Sequence, residues 1–128
     1  MYLLDTNAVI ALIKNNPNFI KNLRKQKPSD IFVSSIVMFE LYFGAYKSLR
    51  VEHNLRIIEK LPFEALDLTK RDGQIAGEIR SILQKMGKPI GPYDVLIAGQ
   101  AVSRGLVLVT NNCQEFERVE NLKIEDWQ

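Results

Sequence analysis

Cysteine and histidine are almost absent from this sequence, which has one of each, Cys113 and His53, among 128 residues. A lone cysteine excludes an internal disulfide framework and is typical of a protein from a reducing cytoplasm. Structural zinc sites draw on several Cys and His side chains, so a zinc centre is not expected. We expect Cys113 to be a partly packed neutral thiol and His53, which lies in a charged helix, to be a surface residue.

Long apolar runs are missing as well, since none approaches the roughly 18–20 residues of a membrane span. No signal peptide is expected, because Asp5 interrupts the opening apolar stretch and no basic region precedes it. Neither charge dominates: 17 Lys and Arg residues against 15 Asp and Glu give a net charge of +2. This mildly basic balance permits a polyanionic partner without requiring one.

Linkers, internal repeats and low-complexity tracts are absent too, and the length suits a single domain over residues 1–128. Short apolar segments alternate with longer segments of helical spacing. This pattern predicts an α/β fold with a central parallel sheet of four to five short strands flanked by helices on both faces. The predicted strands are Tyr2–Leu4, Ile31–Val33, Ala65–Leu68, Leu106–Val109 and Leu122–Ile124. Six helices are predicted. Three have predicted bounds at both ends: Ser35–Tyr46, Leu49–Leu61 and Thr69–Met86. The other three begin at Thr6, at Pro17 and near Asp94, and the one from Pro17 is expected to end at Pro28.

Three acidic residues, Asp5, Glu40 and Asp94, stand in apolar segments that contain no Lys or Arg. An ionised carboxylate among apolar neighbours is costly unless a cation or a hydrogen-bond donor meets it. One economical explanation is that the three carboxylates share a bound metal ion. Asp5 directly follows the first predicted strand, at the sheet edge where ligands gather in parallel α/β folds.

Each of these acids also has an ordinary structural explanation. Asp5 or Thr6 can cap the helix that begins there, and an acid such as Asp94 stabilises the first turn of a helix. Glu40 can form an ion pair with a distant Lys or Arg. Its helix is apolar on nearly every side, so we expect that helix to be largely buried, with Gly44 leaving open space beside the carboxylate.

The polar segment Thr110-Asn111-Asn112 follows the fourth predicted strand and belongs to the same sheet edge. Thr110 and Asn112 are candidates to orient a water or to offer neutral oxygen to a metal, although an Asx turn or helix cap explains them equally. Oxygen-only ligands favour Mg²⁺ or Mn²⁺ over zinc. Such ions typically serve phosphoryl chemistry, and with a mildly basic chain a nucleic-acid phosphodiester is the natural substrate class. Candidates for phosphate contacts, each also explained as a solvated surface charge, are Lys14, Lys21, Arg24, Lys25, Lys27, Lys47 and Arg50.

At these residues the sequence resembles the PIN-domain ribonucleases, in particular the VapC-type toxins of toxin–antitoxin pairs. The matching segments run in order along the whole chain: Leu3-Leu4-Asp5-Thr6-Asn7, Phe39-Glu40-Leu41 through Gly44, Gly91-Pro92-Tyr93-Asp94 with Leu96-Ile97-Ala98-Gly99, Val109-Thr110-Asn111-Asn112, Glu115-Phe116-Glu117-Arg118-Val119, and Leu122 to Asp126-Trp127. Any single segment is weakly specific, whereas the ordered set is strongly specific.

The resemblance implies a PIN-like fold and an endoribonuclease that depends on Mg²⁺ or Mn²⁺ and cuts structured RNA such as tRNA. By motif, Asp5, Glu40 and Asp94 match the three core metal-site acids of the family, and Thr110 matches its helper hydroxyl. Many PIN domains have a further acid where this chain has Asn112. That difference removes one negative charge, so we expect weaker binding of a second metal ion, with Glu115 as a candidate to compensate.

The resemblance also implies that the protein acts in the bacterial cytoplasm and that it has partners there. It predicts a homodimer that assembles with a small VapB-type antitoxin, which blocks the active site and contacts operator DNA in place of the toxin. The aromatic side chains of Phe39, Tyr42, Phe43 and Tyr46 are candidates for such an interface, although we expect most of them to pack in the core.

Other protein classes fit the sequence less well. A haloacid-dehalogenase-like phosphatase needs a second acid two residues after the first, where Asn7 stands. A receiver domain needs an acidic pair near the first strand and a lysine after the last one, and the predicted last strand, Leu122–Ile124, is not followed by such a lysine. A PIN domain that binds RNA or protein without effective catalysis stays open, because Asn112 replaces an acid.

Overall fold

The computed structural model describes residues 1–128 as a five-stranded parallel sheet with helices around it. The strands are β1 (Tyr2–Leu4), β2 (Ile31–Ser34), β3 (Glu64–Leu66), β4 (Val107–Val109) and β5 (Ile124–Glu125). Their order in the sheet is β3-β2-β1-β4-β5, and every neighbouring pair is parallel. The predicted α/β class and the parallel sheet are therefore confirmed, with each strand within two residues of its predicted start.

Seven α-helices connect the strands: α1 (Thr6–Ile13), α2 (Pro17–Leu23), α3 (Ser35–Tyr46), α4 (Val51–Glu59), α5 (Lys70–Lys85), α6 (Pro92–Arg104) and α7 (Cys113–Phe116). Crossovers between parallel strands are right-handed, so α1 to α4 cover one face of the sheet and α5 to α7 cover the other. None of the helices has both the length and the apolar character that a bilayer crossing requires.

Local signals set most helix ends. Thr69 accepts a hydrogen bond from the Asp72 N–H at 3.2 Å, and the Asp72 carboxylate accepts one from the Thr69 N–H at 2.9 Å. This reciprocal capping box starts α5 where the sequence predicts it. The second helix is shorter than predicted: it ends at Leu23, and Pro28 opens a separate 3₁₀ turn at Pro28–Asp30. A proline at the first position of a turn needs no N–H partner, so it begins that turn and does not close α2.

The core lies on both faces of β1, β2 and β4. Leu3, Leu4, Val33 and Leu108 are buried in these strands. The C-terminal segment closes one end of this core, because Trp127 packs against Phe19 with ring centroids 5.6 Å apart.

The prediction that α3 is largely buried is wrong. Val37, Leu41 and Ala45 form its buried stripe, whereas Phe39 and Phe43 are about half exposed. Tyr46 is exposed as well, so core packing does not account for these three aromatic residues. The sequence of α3 is apolar on every side, and such a pattern cannot tell a helix enclosed by protein from one that keeps an apolar face at the surface.

Candidate active site

The carboxyl ends of β1 and β4 form the centre of the site. The chain leaves β1 toward β2 on one side and returns later to place β4 on the other, so the strand order reverses between them. The ladder continues past both strand ends, because the Asp5 N–H donates to the Val109 carbonyl at 3.1 Å and the Thr110 N–H donates to the Glu125 carbonyl at 3.0 Å. Such a switch point is where open α/β sheets bind ligands.

Asp5 is buried at this switch point, with 4% of its surface exposed. One carboxylate oxygen, Oδ1, accepts a hydrogen bond from the Ala8 N–H at 2.8 Å and so caps α1. Burial raises the pKa of Asp5 to about 6, although hydrogen bonds from Thr110 and Ala8 oppose the shift. The cap occupies only one oxygen, so capping and ligand binding are compatible roles for this residue.

Asp94 lies in the first turn of α6 and is partly buried. Its carboxylate accepts no hydrogen bond and meets no cation, since the only ion pair of the molecule joins Arg104 to Asp72. Burial raises the pKa of Asp94 to about 6, and repulsion from Asp5, Glu115 and Glu40 adds to the shift. An acid in the first turn interacts favourably with the helix dipole, but Asp94 has no hydrogen bond that would offset its burial beside other acids.

Glu40 reaches the same cluster from α3, where it is partly buried. The Thr6 hydroxyl donates a hydrogen bond to Glu40 Oε1 at 2.8 Å, which ties the start of α1 to α3. Glu40 and Gly44 line a cleft of about 210 Å³ between α1, α3 and α4. A Cβ added to Gly44 would meet no atom within 4 Å, as expected from the space predicted beside this carboxylate.

Thr110 is fully buried after β4, and the Asn112 N–H donates a hydrogen bond to its hydroxyl oxygen at 2.9 Å. The Asn112 side-chain amide donates to Glu115 Oε2 at 3.1 Å. Asn112 is thus engaged by Glu115, and Glu115 is close enough to Asp94 to raise its pKa. The hydrogen bond from the Asn112 N–H makes a turn through the Thr110 hydroxyl, not the predicted Asx turn, and the Asn112 side chain does not cap α7. The segment lies beside the acids, and the roles of Thr110 and Asn112 in orienting a water or a metal stay predictions.

Sequence reasoning gave no role to Asp126, which lies near enough to Asp5 to raise its pKa. The signal was available, because Asp126 directly follows β5 and the carboxyl ends of parallel strands share one edge. Cys113 adjoins the same cluster, where burial and then repulsion from Asp126 raise the pKa of its thiol. The raised pKa favours the neutral thiol, and the side chain is partly buried, as predicted.

The residues fit a hard divalent cation by charge and by donor chemistry. Five carboxylates and one hydroxyl meet at this edge with no lysine or arginine partner: Asp5, Glu40, Asp94, Glu115, Asp126 and Thr110. Oxygen donors of this kind suit Mg²⁺ or Mn²⁺. As the side chains lie, no three of the acids converge on a single point where an ion would be held. The residue types and their uncompensated negative charge therefore suit such an ion, whereas the side chains as they lie do not form a complete coordination shell.

Known proteins are similar to this chain in sequence and in fold. The PIN domain family matches residues 2–122. The tRNA(fMet)-specific endonuclease VapC of Salmonella typhimurium is 46% identical over 128 residues, which cover 98% of this chain and 97% of that protein.

Solved structures agree with this sequence match. A crystal structure of DNA-bound VapBC from Salmonella typhimurium has a TM-score of 0.93 and 46% identity, and covers 99% of this chain and 98% of that one. VapBC2 from Rickettsia felis, bound to a DNA fragment from its promoter, has a TM-score of 0.88 and 36% identity, and covers the same shares of the two chains. This chain therefore belongs to the PIN-domain family and, within it, to the VapC proteins.

Proposed function

We propose that this protein is the endoribonuclease toxin of a bacterial toxin–antitoxin pair and that it hydrolyses phosphodiester bonds in RNA with the help of Mg²⁺ or Mn²⁺. Residues 1–128 act as one domain in the cytoplasm, and Asp5, Glu40 and Asp94 hold the metal. A VapC relative 46% identical over the whole chain is named as a tRNA-specific endonuclease, which supports a structured RNA such as tRNA as the substrate.

One observation carries the metal dependence, namely the partly buried carboxylate of Asp94, which lies beside Asp5 and Glu40 with neither a hydrogen-bond donor nor a cation. An arrangement of this kind costs stability when the groups are ionised, because each charge is desolvated and repels the next. A bound divalent cation removes that cost, which is a reason to keep the acids together.

The residues divide the chemical work among them. The bound metal supplies charge neutralisation for the scissile phosphate and a more acidic attacking water. Thr6 fixes Glu40 through its 2.8 Å hydrogen bond, and the Ala8 N–H fixes one oxygen of Asp5. Thr110 and Asn112 position the water or the ion. Water oxygen bonds to phosphorus, the bond from phosphorus to the 3′ oxygen breaks, and the products carry 5′-phosphate and 3′-hydroxyl ends.

The partners follow from the relatives. The Salmonella and Rickettsia relatives were crystallised as VapBC complexes with DNA. This protein likewise assembles with a VapB-type antitoxin, and we propose that the toxin is a homodimer within that larger complex. Operator DNA is contacted mainly through the antitoxin.

The test is cleavage of total bacterial RNA by the purified, antitoxin-free protein with Mg²⁺, with Mn²⁺ and with EDTA. Discrete fragments only in the presence of metal, with 5′-phosphate and 3′-hydroxyl ends, are expected. Products that end in 2′,3′-cyclic phosphate would contradict the mechanism, because they show attack by the 2′-hydroxyl of the RNA itself. A folded protein that binds RNA equally in EDTA and cuts nothing would instead be a binding module, the alternative that Asn112 leaves open.

A further inference from the structure

Two exposed aromatic rings stand beside the acids. Phe39 precedes Glu40 in α3, and Tyr93 precedes Asp94 in α6. Their ring centroids are 5.6 Å apart with an interplanar angle of 60°, so the pair bridges the two helices that present these carboxylates. Phe39 is 51% exposed and Tyr93 is 46% exposed. Each ring covers only part of the other, and apolar surface stays open to solvent at the edge of the site.

The aromatic surface continues along α3. Phe43 and Tyr46 follow Phe39 by four and seven residues, so all three lie on one face of the helix. Both are more than half exposed, at 57% and 64%. The Lys47 ammonium group lies 5.0 Å from the centre of the Phe43 ring, within the range of a cation–π contact. The stripe from Phe39 to Tyr46 is about 10 Å long at the rise of an α-helix.

We propose that Phe39 and Tyr93 are positioning residues that stack on an unpaired nucleobase next to the scissile phosphate, and that Phe43 and Lys47 extend this binding surface along the RNA strand. The inference rests on the proposed endoribonuclease function and names the way in which that site holds its substrate.

The charges around the site favour this occupant. A metal ion held by Asp5, Glu40 and Asp94 would offset their repulsion of the scissile phosphate. It makes no contact with the neighbouring base, so that base must be held by a contact without charge. Stacking of a base on an aromatic ring meets that need. The nearest positive charge on the stripe belongs to Lys47, seven residues beyond Glu40, where a phosphate no longer faces the acids. Aromatic rings interleaved with cations are the usual surface for single-stranded nucleic acid.

The surface selects unpaired nucleotides. A base inside a duplex has no free face for Phe39 or Tyr93, whereas a base in a loop can turn out and stack. Every base has a π-face, so stacking tolerates any base identity. The aromatic pair therefore predicts a preference for loops and leaves the choice among loop sequences to other contacts.

Stacking can be measured without cleavage. An oligoribonucleotide of about eight residues with one 2-aminopurine is titrated with the protein in EDTA, beside the same strand with an abasic site at that position. Stacking on the wild type quenches the 2-aminopurine fluorescence and makes the base-containing strand the tighter ligand. Phe39→Leu and Tyr93→Leu, which keep an apolar side chain without a ring, are expected to lose the quenching and to weaken binding about five- to a hundredfold. Phe39→Tyr restores the ring and should restore both signals.

Cleavage kinetics provide the second readout. Loss of a contact that is made equally in the bound substrate and in the transition state raises KM and leaves kcat unchanged, so Phe39→Leu is expected to do so. Ile82→Ala is the matched control: Ile82 is also a half-exposed apolar residue, but it lies on α5 and should change neither binding nor cleavage.

The outcomes separate the inference from the function. A wild type that cleaves RNA but binds base-containing and abasic strands alike overturns the stacking proposal and leaves the endoribonuclease in place. The proposal also fails if the leucine variants, folded as judged by circular dichroism, bind RNA normally but change the oligomeric state or antitoxin affinity, because the surface is then a protein contact. A wild type that neither binds nor cuts RNA removes the proposed function and the inference together.

Discussion

At the scale of single residues, the acids of the site differ in how well the fold satisfies them. Asp5 caps α1, and Glu40 accepts the Thr6 hydroxyl. Asp94 has no such partner, although burial and its acidic neighbours raise its pKa to about 6. Functional acids are often the ones that a fold leaves uncompensated, because the missing partner is the ligand. We therefore expect Asp94 to be the residue at which function and stability conflict most directly.

Replacing Asp94 with asparagine should abolish RNA cleavage and stabilise the protein in EDTA. The substitution removes a charge that is desolvated and repelled, so the free energy of unfolding at pH 7 should rise by about 1–2 kcal/mol. Urea denaturation measures this change. Glu78→Gln, at an exposed acid on α5, is the control and should alter stability by less than about 0.5 kcal/mol. An Asp94→Asn variant that unfolds would show that the carboxylate has a chiefly structural role.

Stability in EDTA should fall as the pH rises from about 4 to 6. Asp5 and Asp94 have pKa values of about 6 in the fold against 3.8 for the model carboxyl group, so the folded state holds more protons in this window and deprotonation favours unfolding. The free energy of unfolding is expected to fall by about 2–4 kcal/mol for the two groups together. This is less than the sum of two independent shifts, because the repulsion between Asp5 and Asp94 contributes to both and counts only once. Denaturation midpoints at several pH values measure it, and Asp94→Asn should flatten the curve.

Asp72 does not mask this effect. Burial acts to raise the pKa of Asp72, but hydrogen bonds from Arg104 and Thr69 lower it overall. A lowered acid pKa adds stability that is complete above the unfolded value and is lost only below it, so Asp72 acts under pH 4. A stability profile that rises between pH 4 and 6 would contradict the raised pKa values of Asp5 and Asp94.

Affinity for Mn²⁺ should weaken as the pH falls, whereas stability in EDTA weakens as the pH rises. Below pH 6 a metal ion must displace protons from Asp5 and Asp94, and each displaced proton costs about tenfold in affinity per pH unit. Titration calorimetry at pH 7.5 and pH 5 measures the difference. A pH-independent affinity would show that these two carboxylates are not ligands.

At the scale of secondary structure, α5 and α6 cross with their backbones in close contact at Gly99. A Cβ added at Gly99 of α6 would lie 2.5 Å from the Ala76 Cβ and 2.7 Å from its Cα. Backbone atoms cannot move aside without shifting a helix, so only glycine fits at this crossing. The crossing matters for the site, because α6 presents Asp94 from its first turn.

Gly99→Ala should destabilise the fold by about 1–3 kcal/mol through overpacking against Ala76. Gly77→Ala is the matched control, since Gly77 lies on the exposed side of α5 and a Cβ there would meet nothing within 4 Å. That substitution should stabilise α5 by about 0.5–1 kcal/mol. Thermal unfolding of the two variants measures both changes, and equal effects of the same sign would refute the tight crossing.

Local chemistry determines which elements the sequence could predict. The capping box of Thr69 and Asp72 and the serine-led start of α3 mark their helices closely, because the signal and the structure involve the same few residues. The exposure of Phe39 on α3 depends on what else packs there, and the chain does not encode that locally. Asp126 was overlooked for the same reason, since its proximity to Asp5 arises only from strand order.

At the scale of the whole molecule, five acids from distant parts of the chain meet because every strand is parallel and ends at one edge. The topology therefore creates the charge cluster. Partner binding also belongs to this scale, since it uses surfaces and not single side chains.

Expression of the wild type alone should arrest bacterial growth, and coexpression of the cognate antitoxin should restore it. The expected cause is RNA cleavage, so Asp94→Asn at the same protein level should be harmless. Growth curves with quantified protein levels measure the effect. Unaffected growth at a verified level of wild-type protein would count against a toxin.

The position of β1 at the centre of the sheet has a consequence for the timing of synthesis. β1 is made first, but its pairing with β4 joins residues 2–4 to residues 107–109. Translation at 5–20 residues per second separates the synthesis of Asp5 from that of Asp126 by about 6–24 s. Until then the nascent chain has the first acid of the site without the strand that completes it. A ribosome that translates this protein is thus not exposed to a working nuclease until β4 and the segment that carries Asp126 have been made.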